Sequence, residues 1–265
     1  MTEAQANDSV NNANTHPLIS IITPTFNAAH TVKRTLDSVG TQTCKQYEHI
    51  IVDGKSTDNT VNIVEECGYP NLRFISEKDY GIYDAMNKGI CMARGEYLIF
   101  LNAGDKFHAP DSLQLYADAI HEYNMPGIVY GQTILVDDNG KYIGPRHLKA
   151  PDTLKLASFK EGMVVCHQAM AVYHKIAGLY NLKYKYSSDY EWGIICLQRS
   201  KKNVALGKVT IDYLSEGATT THHKESLKER FKIMCTYYGV IPTIIRHIGF
   251  AFRYIRRRRN AASVQ

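Results

Sequence analysis

The sequence predicts an α/β fold with a mostly parallel central sheet flanked by helices, and two observations carry this prediction. Four short runs rich in apolar and β-branched residues alternate with segments whose apolar residues recur at helical spacing. Strands that alternate with helices of this length indicate βαβ units and therefore a mostly parallel sheet. Ligands bind beyond the carboxyl ends of the strands in such sheets. Residues that bind a ligand are therefore expected directly after the predicted strands.

The four predicted strands are mainly apolar, as expected for strands that are covered on both faces of a sheet. Polar residues follow each of them, and a carboxylate is present after three of the four. A sheet needs no carboxylates there, although loops are generally polar. The predicted strands are LISIIT (18–23), YEHIIVD (47–53), LRFIS (72–76) and EYLIFLN (96–102).

The three segments between these strands have helical patterns. HTVKRTLDSVGTQ places Val32 and Leu36 on one face. STDNTVNIVEECG begins with cap-forming residues, of which Asp58 is the expected N-cap. GIYDAMNKGICMARG carries Asn87 and Gly89 inside a helix, which is costly in helix propensity and predicts a packing or contact reason for them.

The pattern changes after residue 107. GIVYGQTILVDDNGKYIG predicts a hairpin that turns at Asp138-Asn139-Gly140. VVCHQAMAVYHKIAGLY is strand-like at first and then a loop or helix, and NVALGKVTIDYLS predicts late strands. SSDYEWGIICLQR has an apolar face that includes Trp192, so it predicts an amphipathic helix.

The length of 265 residues, with 44% hydrophobic and 22% charged, is enough for one large domain and a substantial core. Residues 1–16 are polar and predicted to be disordered, and they lack the basic start and apolar run of a signal peptide. Residues 17–107 and 108–225 are expected to be two halves of the same domain. Residues 226–265 are expected to form a basic, amphipathic, helical tail.

Charge is unevenly distributed along the chain. Residues 224–265 contain ten Lys and Arg and two Asp and Glu. Their local net charge of +8 exceeds the net charge of +5 for the whole chain. The remainder is therefore slightly acidic, which argues against nucleic acid as a partner. Six single cysteines without a CxxC pair argue against a zinc knot or a disulfide framework and fit a reducing cytosol.

Candidate ligand-binding residues follow the second, third and fourth strands. Asp53 can accept hydrogen bonds from a planar amide or imide, and Gly54 lets a ligand approach the backbone. The stretch 77–88 surrounds a predicted helix start, where backbone N–H groups can receive anions. Lys88 in that stretch fits either a phosphate contact or a solvated helical lysine.

Two further motifs are ambiguous by themselves. NAGD (102–105) ends a strand and contains one carboxylate, Asp105, so it fits a turn as well as a site for a hard cation. Asp189 near a predicted helix start fits either a cap or a general base beside an acceptor hydroxyl. His222 and His223 are adjacent and would point apart, which makes a two-histidine metal site improbable.

In this order along the chain, the motifs ISIITPTFN, IIVDGKSTDNT, SEKDYGIYDAMNKGI, GEYLIFLNAGD and SSDYEW resemble those of family 2 inverting glycosyltransferases. The resemblance covers residues 17–225. It implies the GT-A fold, with a Rossmann-like central sheet and here a C-terminal helical extension. The GIYDAMNKG form resembles the bacterial branch that builds capsule, exopolysaccharide or O-antigen units.

The resemblance also implies roles for residues. Asp189 matches the catalytic base, and Asp53 matches the residue that holds uracil. Asp105 is the expected metal ligand, with His222 as a possible second one, for Mn²⁺ or Mg²⁺. The remaining residues expected to bind the nucleotide sugar are Thr23, Pro24, Asn27, Glu77, Asp84, Asn87, Lys88, Asn102 and Ala103.

The motif at the implied metal site departs from the family pattern. The family's DxD motif has an Asp at each of the positions that are Asn102 and Gly104 here. Asp105 is then the one carboxylate of the motif, and the cation is expected to be held weakly or mainly by the diphosphate.

The implied reaction is transfer of a hexosyl or N-acetylhexosaminyl group, with inversion, from a nucleotide-diphosphate sugar, commonly a UDP sugar. The acceptor is expected to be a hydroxyl of a glycan or a lipid-linked glycan. One alternative is a sugar-nucleotide-binding protein with little or no transfer activity, motivated by Asn102 and Gly104. A nucleotidyltransferase is disfavoured because TPTFNAAHT lacks a Gly-rich basic loop.

The C-terminal segment FKIMCTYYGVIPTIIRHIGFAFRYIRRRR combines apolar residues with a terminal Arg run. It falls short of a clean membrane span and fits an interfacial helix on an anionic membrane surface. The alternative is an amphipathic helix packed on the domain. The first interpretation predicts a cytoplasmic protein that is peripheral on the inner face of the cytoplasmic membrane.

Overall fold

The computed structural model describes residues 16–215 and 222–262. The predicted disorder of residues 1–16 therefore falls, His16 aside, outside the described residues. The strands are β1 (Ile19–Thr25), β2 (Tyr47–Asp53), β3 (Leu72–Ser76), β4 (Tyr97–Phe100), β5 (Lys106–Phe107), β6 (Ile128–Val136), β7 (Tyr142–Pro145), β8 (Met170–Tyr173) and β9 (Asn203–Leu214). The α-helices are α1 (Val32–Gly40), α2 (Thr60–Glu66), α3 (Ile82–Met92), α4 (Ser112–Glu122), α5 (Ser188–Arg199), α6 (His223–Tyr238) and α7 (Val240–Ala262).

One mixed sheet runs through both halves of the chain in the order β3-β2-β1-β4-β8-β6-β9-β5, and β7 pairs with β6. The first four strands are parallel, with Ile21 opposite His49 on β2 and Ile99 on β4. β8 is antiparallel to both β4 and β6, so the sheet changes direction where the second half begins. The predicted α/β fold with flanking helices is confirmed.

The hairpin predicted in the second half is present as β6 and β7, and it turns at Gly140 with φ 77°. Two elements that follow β4 had no counterpart in the sequence prediction. They are the helix α4 and the two-residue strand β5, which pairs with β9.

Helical packing explains the two residues of α3 that are poor helix formers. A Cβ at Gly89 would overlap the side chain of Ile22 on β1, so only glycine lets α3 approach the sheet this closely. Asn87 makes two hydrogen bonds to another segment, described below with the site. The predicted packing or contact reason is therefore confirmed for both residues.

The N-cap prediction for Asp58 is wrong by one position. α2 begins at Thr60, so Asn59 occupies the cap position and has no capping side-chain bond. Asp58 instead accepts hydrogen bonds from the backbone N–H of Thr60 at 3.0 Å and from that of Ala29 at 3.0 Å. Its carboxylate thereby joins the loop after β1 to the loop after β2.

Two large hydrophobic clusters lie on the two faces of the sheet. Trp192 of α5 is buried against Phe100 of β4 with the rings 5.4 Å apart and edge to face. The indole N–H donates to the carbonyl of Gly178 at 2.7 Å, so the polar atom of the buried tryptophan is satisfied. The predicted apolar face of α5 is therefore part of the main core.

The boundary expected at residue 226 falls inside α6, which is part of the domain. Ile233 and Met234 are buried in the same core cluster as Trp192. The Tyr237 hydroxyl donates to Glu191 of α5 at 3.1 Å. α6 therefore packs on the domain through its apolar side chains, and α7 follows it along the chain.

Candidate active site

A cleft of about 1100 Å³ opens at the carboxyl ends of β1, β2, β3 and β4. This is where a parallel sheet is expected to bind its ligand. Five of the residues predicted from the sequence line it, namely Pro24, Asn27, Asp84, Asn102 and Ala103. The other predicted residues described by the structure lie behind the wall or outside the cleft.

Asp53 is not part of the cleft lining, and its predicted contact with uracil stays a prediction. It is fully buried and accepts hydrogen bonds from the hydroxyls of Thr25, Ser56 and Ser76 and from the Ser56 N–H. Burial alone would raise the pKa of Asp53, but these hydrogen bonds outweigh it and hold the pKa below its ordinary value. Asp53 therefore fixes the loop after β2 in an ionised form.

Thr23 is likewise a buried structural residue. Its hydroxyl is 2.9 Å from Nε2 of His49 on the neighbouring strand β2. Burial lowers the pKa of His49 to about 3, so the imidazole is neutral at physiological pH. Thr23 is not part of the cleft lining in this structure, and its predicted role in the nucleotide pocket stays a prediction.

Asn27 lines the cleft and shapes it through its backbone. It has a φ of 48°, in the left-handed region that asparagine tolerates better than most residues. Its side-chain oxygen accepts from the Thr57 N–H at 2.9 Å, and its own N–H donates to the Ser56 hydroxyl at 2.8 Å. The loops after β1 and β2 therefore form one connected wall.

Lys88 and Glu77 pair with each other outside the cleft lining. The Lys88 ammonium is 2.8 Å from Glu77 and 3.8 Å from Asp84, and it donates to the carbonyl of Lys78 at 2.7 Å. These contacts direct the ammonium toward the loop before α3, and the predicted contacts of Lys88 and Glu77 with the nucleotide stay a prediction. Asp84 does line the cleft, where its carboxylate accepts from the Tyr80 N–H at 3.1 Å.

Asn87 braces the site from behind and does not line the cleft. Its side-chain amide accepts from the Tyr180 N–H at 2.7 Å and donates to the Tyr180 carbonyl at 3.0 Å. The Tyr180 ring in turn stacks on Tyr83 of α3, with the centroids 5.4 Å apart. The pair of bonds ties α3 to the segment before α5, which carries Asp189.

Asp189 lies in the first turn of α5, one layer behind the cleft lining. Its Oδ1 accepts a hydrogen bond from the Tyr83 hydroxyl at 3.0 Å, and Tyr83 lines the cleft. Burial, and then the neighbouring Asp189 carboxylate, raise the pKa of Tyr83 well above its ordinary value. The phenol therefore stays protonated as a donor, which fixes the carboxylate at the cleft wall.

The segment 182–187 forms the wall beside Asp189, and α6 holds it in place. The two carboxylate oxygens of Glu229 accept from the backbone N–H groups of Lys185 and Tyr186, each at 2.9 Å. His222 stacks on Tyr186 with the ring centroids 4.7 Å apart and is not part of the cleft lining. The histidine thus contacts the loop, and the structure gives no support to its predicted role as a metal ligand.

The motif NAGD forms a turn that α1 supports. The Asp105 N–H donates to the Asn102 carbonyl at 3.0 Å, and the Thr35 hydroxyl donates to the Asp105 carbonyl at 2.7 Å. Gly104 has a φ of 104°, which explains the glycine at a position where an aspartate would be strained. The turn brings Asn102 and Ala103, but not Asp105, to the cleft.

The residues present do not fit a divalent cation held by side-chain carboxylates. Asp105 is buried, and its Oδ1 accepts from the Leu214 N–H at 2.9 Å. Burial raises the pKa of Asp105 to about 7. Asn102 Oδ1 is a buried oxygen without a hydrogen-bond partner, but it is neutral. In residues 16–215 and 222–262, no group of three or more His, Cys, Asp and Glu is placed to hold a metal.

Several cleft residues escaped the sequence analysis, mainly because loop patterns do not reveal which way a side chain points. Asp79 is one of several polar residues around the predicted start of α3, and nothing in the local sequence pattern distinguishes Tyr83. The missed lining residues include Phe26, Lys78, Asp79, Tyr80, Tyr83, Asp138, Tyr184, Lys185 and Tyr186. The tyrosine-rich segment YNLKYKYSSDY was the one signal that could have directed attention to the wall beside Asp189.

Comparison with known proteins gives the class to which this fold and cleft belong. The family described as Glycosyl transferase family 2 matches residues 20–177. A PGL/p-HBAD biosynthesis glycosyltransferase of Mycobacterium bovis is 38% identical over 187 residues, covering 68% of this chain and 70% of the relative. An uncharacterized glycosyltransferase of Mycobacterium tuberculosis, Rv1514c, is 32% identical over 182 residues, covering 66% and 67%.

Solved structures agree on the fold. Staphylococcus aureus TarS 1–349 in complex with UDP-GlcNAc has a TM-score of 0.70 at 18% identity, covering 88% of this chain and 73% of TarS. The mannosyltransferase PcManGT from Pyrobaculum calidifontis, in complex with GDP-Man and Mn²⁺, has a TM-score of 0.62 at 14% identity, covering 95% and 82%. The fold and the cleft thus define a GT-A glycosyltransferase. The chain belongs to glycosyltransferase family 2.

Proposed function

We propose that this glycosyltransferase moves a hexosyl or N-acetylhexosaminyl group from a UDP sugar to a hydroxyl of a glycan or lipid-linked glycan, with inversion at the anomeric carbon. The bond from Tyr83 to Asp189 is the main support for the proposal, because it fixes a carboxylate directly behind Tyr83, which lines a cleft large enough for a nucleotide sugar. The likeness to a TarS structure with bound UDP-GlcNAc supports the choice of donor.

Asp189 acts in this proposal as the general base. A carboxylate that accepts one hydrogen bond from Tyr83 keeps lone pairs for the proton of an incoming hydroxyl. The acceptor oxygen attacks the anomeric carbon as the bond to the diphosphate breaks, and its proton passes to Asp189. Attack on the face opposite the leaving group inverts the anomeric centre.

The leaving diphosphate needs positive charge, and the chain supplies cations at the cleft. Lys78 and Lys185 line it from two sides. Since NAGD presents the neutral side chain of Asn102 to the cleft but not the Asp105 carboxylate, we propose that any Mn²⁺ or Mg²⁺ enters with the donor, bound to its diphosphate. A divalent cation bound there would offset the charge that develops on the leaving group.

A donor screen tests the proposed reaction. The full-length protein is incubated with UDP-, GDP- and dTDP-sugars and Mn²⁺, with and without lipid extract as a source of acceptors, and released nucleotide is measured. We expect slow UDP release from one UDP sugar without acceptor and at least about tenfold faster release with it. Release of another nucleotide, and none of UDP, would contradict the choice of donor.

We further propose that the enzyme works on a lipid-linked acceptor of surface polysaccharide synthesis, such as capsule, exopolysaccharide or O-antigen, at the inner face of the cytoplasmic membrane. The Mycobacterium bovis relative, named for PGL/p-HBAD biosynthesis, supports a role in cell-envelope synthesis. None of the helices in the described residues combines the length and apolarity that a membrane crossing requires. The proposed attachment is therefore peripheral.

α7 has the two faces that such attachment requires. One face packs on the domain, where Thr243 is buried, His247 contacts Phe231 and Arg246 pairs with Glu161. The other face carries large apolar side chains that are 44–73% exposed, namely Ile241, Ile244, Ile245, Ile248 and Phe252. The Arg run of residues 256–259 follows on the same helix, and it complements anionic lipid headgroups.

Replacing the exposed isoleucines of α7 tests the membrane contact without disturbing α6. We expect Ile241→Ser/Ile245→Ser/Ile248→Ser to lower binding to vesicles with anionic lipid at least about tenfold in a flotation assay, because it removes most of the inserted apolar area. Ile143→Ser on β7, where Ile143 is 54% exposed, is the matched control. Undiminished flotation of the triple variant would rule out this face as the membrane contact.

A further inference from the structure

Arg230 lies on α6, and one of its polar atoms is left unpaired by the described part of the protein. Its Nε is buried and has no hydrogen-bond partner within residues 16–215 and 222–262. None of the ion pairs found among those residues includes its guanidinium. A buried polar group is costly to leave unpaired, so this side chain is expected to bond to a water molecule or to a ligand.

The contacts on either side of Arg230 place it beside the first turn of α5. Four positions before it, the Ser226 hydroxyl is 3.0 Å from the hydroxyl of Ser187, the cap residue of α5. Seven positions after it, the Tyr237 hydroxyl donates to Glu191 in the first turn of α5 at 3.1 Å. Residues at this spacing share one face of a helix, so Arg230 faces the turn that contains the proposed general base.

The charge of Arg230 acts on the residues around Asp189. Burial raises the pKa of Tyr83 and that of Tyr190, and the Arg230 guanidinium opposes this rise in both phenols. Tyr83 is the residue whose hydroxyl donates to Asp189 at 3.0 Å. The guanidinium is therefore close to the group that holds the proposed base in place.

Arg230 has the donors and the access that an anion requires. Both Arg230 and Asp189 are half-buried, so a molecule that enters from solvent can reach them. A guanidinium offers five N–H donors in a planar fork that matches the oxygens of a phosphate group. Because no carboxylate of the described residues pairs with it, its positive charge is free to bind such a group.

We propose that Arg230 binds a phosphate group of the acceptor while the acceptor hydroxyl lies at Asp189. The acceptor is then a sugar linked to phosphate or diphosphate. This inference rests on the proposed function and makes its lipid-linked acceptor more specific. α6 lies outside residues 20–177, which match the family, so Arg230 belongs to a part of the chain where members can differ in the acceptor they take.

Steady-state kinetics of the full-length protein with a UDP sugar, Mn²⁺ and lipid extract test the assignment. We expect Arg230→Gln to raise the amount of extract needed for half-maximal rate at least about tenfold, as for loss of a hydrogen bond to a charged group, and to change the KM for the UDP sugar less than about twofold. Arg230→Lys keeps the charge without the planar fork and should fall between these values. Lys228→Gln, which removes an exposed cation of the same helix, is the matched control and should behave like the wild type.

Inorganic phosphate is the probe for the proposed phosphate site. We expect it to inhibit transfer by the wild type in competition with the extract, beyond the effect of sodium chloride at equal ionic strength. Arg230→Gln should need at least about fivefold more phosphate for the same inhibition. If the inhibition that depends on Arg230 competes with the UDP sugar instead, the guanidinium binds the donor diphosphate and the acceptor assignment is wrong.

The outcomes separate this inference from the proposed function. If the wild type transfers sugar and Arg230→Gln needs no more extract than the wild type, Arg230 does not bind the acceptor, and the proposed transferase reaction is unaffected. If the wild type releases no nucleotide from any UDP sugar, the donor assignment fails and this inference fails with it. Thermal unfolding of both Arg230 variants, expected within a few degrees of wild type, shows that altered kinetics are not lost folding.

Discussion

Asp189→Asn is expected to lower the rate of sugar transfer by about 10²- to 10⁴-fold, the usual contribution of a general base. The amide cannot take up the proton of the acceptor hydroxyl at neutral pH, while its oxygen can still accept the hydrogen bond from Tyr83. The wall of the cleft should therefore keep its shape, and UDP affinity should change by less than about twofold. Nucleotide release in the presence of acceptor, together with calorimetric UDP binding, measures both quantities.

The control for this variant is Asp152→Asn, which alters an exposed carboxylate outside the cleft lining and should leave both quantities unchanged. Transfer at the wild-type rate by Asp189→Asn would remove Asp189 as the base. Wild-type protein that binds UDP but never transfers would favour the alternative of a nucleotide-sugar-binding protein. Loss of UDP binding in Asp189→Asn would mean that Asp189 contributes to donor binding and not to the proton transfer.

Acidification from pH 7 to pH 5 is expected to destabilise the fold by about 2 kcal/mol for each of two buried histidines. Burial lowers the pKa of His49 to about 3 and that of His167 to about 4. In the unfolded chain both histidines have a pKa near 6.5. Below that pH the unfolded state therefore binds protons that the folded state does not bind, and this favours unfolding. Stability is therefore fully present above about pH 6.5 and falls as the pH drops toward the folded-state values.

His49→Gln isolates one of these contributions. The glutamine cannot be charged, so the variant should lose about 2 kcal/mol less than the wild type between pH 7 and pH 5 in urea unfolding. The exposed His121→Gln variant of α4 should behave like the wild type. An identical loss of stability in His49→Gln and wild type would mean that His49 is already protonated in the fold at pH 5.

β1 and β2 were predictable because they are covered on both faces and are therefore mainly apolar. All seven residues of β1 and all seven of β2 are buried. The short strand β5 could not be predicted, because two residues carry no periodicity and form a strand only by pairing with β9. α6 was assigned to the tail since its charged residues dominate the composition, whereas its burial depends on a few apolar positions such as Ile233.

The location of the cleft at the strand ends was predictable from the sequence, but the orientation of individual side chains was not. Sequence places Asp53 and Asp105 after strands, but whether a carboxylate faces the ligand or the interior depends on donors contributed from elsewhere. For Asp53 these are hydroxyls on β1 and β3, and for Asp105 the Leu214 N–H at the end of β9. The contact of Asp189 with Tyr83 joins residues more than a hundred positions apart, which no local pattern reveals.

The placement of β1 between two parallel partners has a consequence for motion. Its seven buried residues are bonded on one side to β2 and on the other to β4, so its amide hydrogens are expected to exchange with solvent only when the whole domain opens. Phe26 and Asn27 follow directly from this strand and line the cleft. The part of the cleft wall formed by Phe26 and Asn27 is thus anchored to a strand that is expected to open only with the whole domain, and a ligand can enter and leave without reorganisation of that strand.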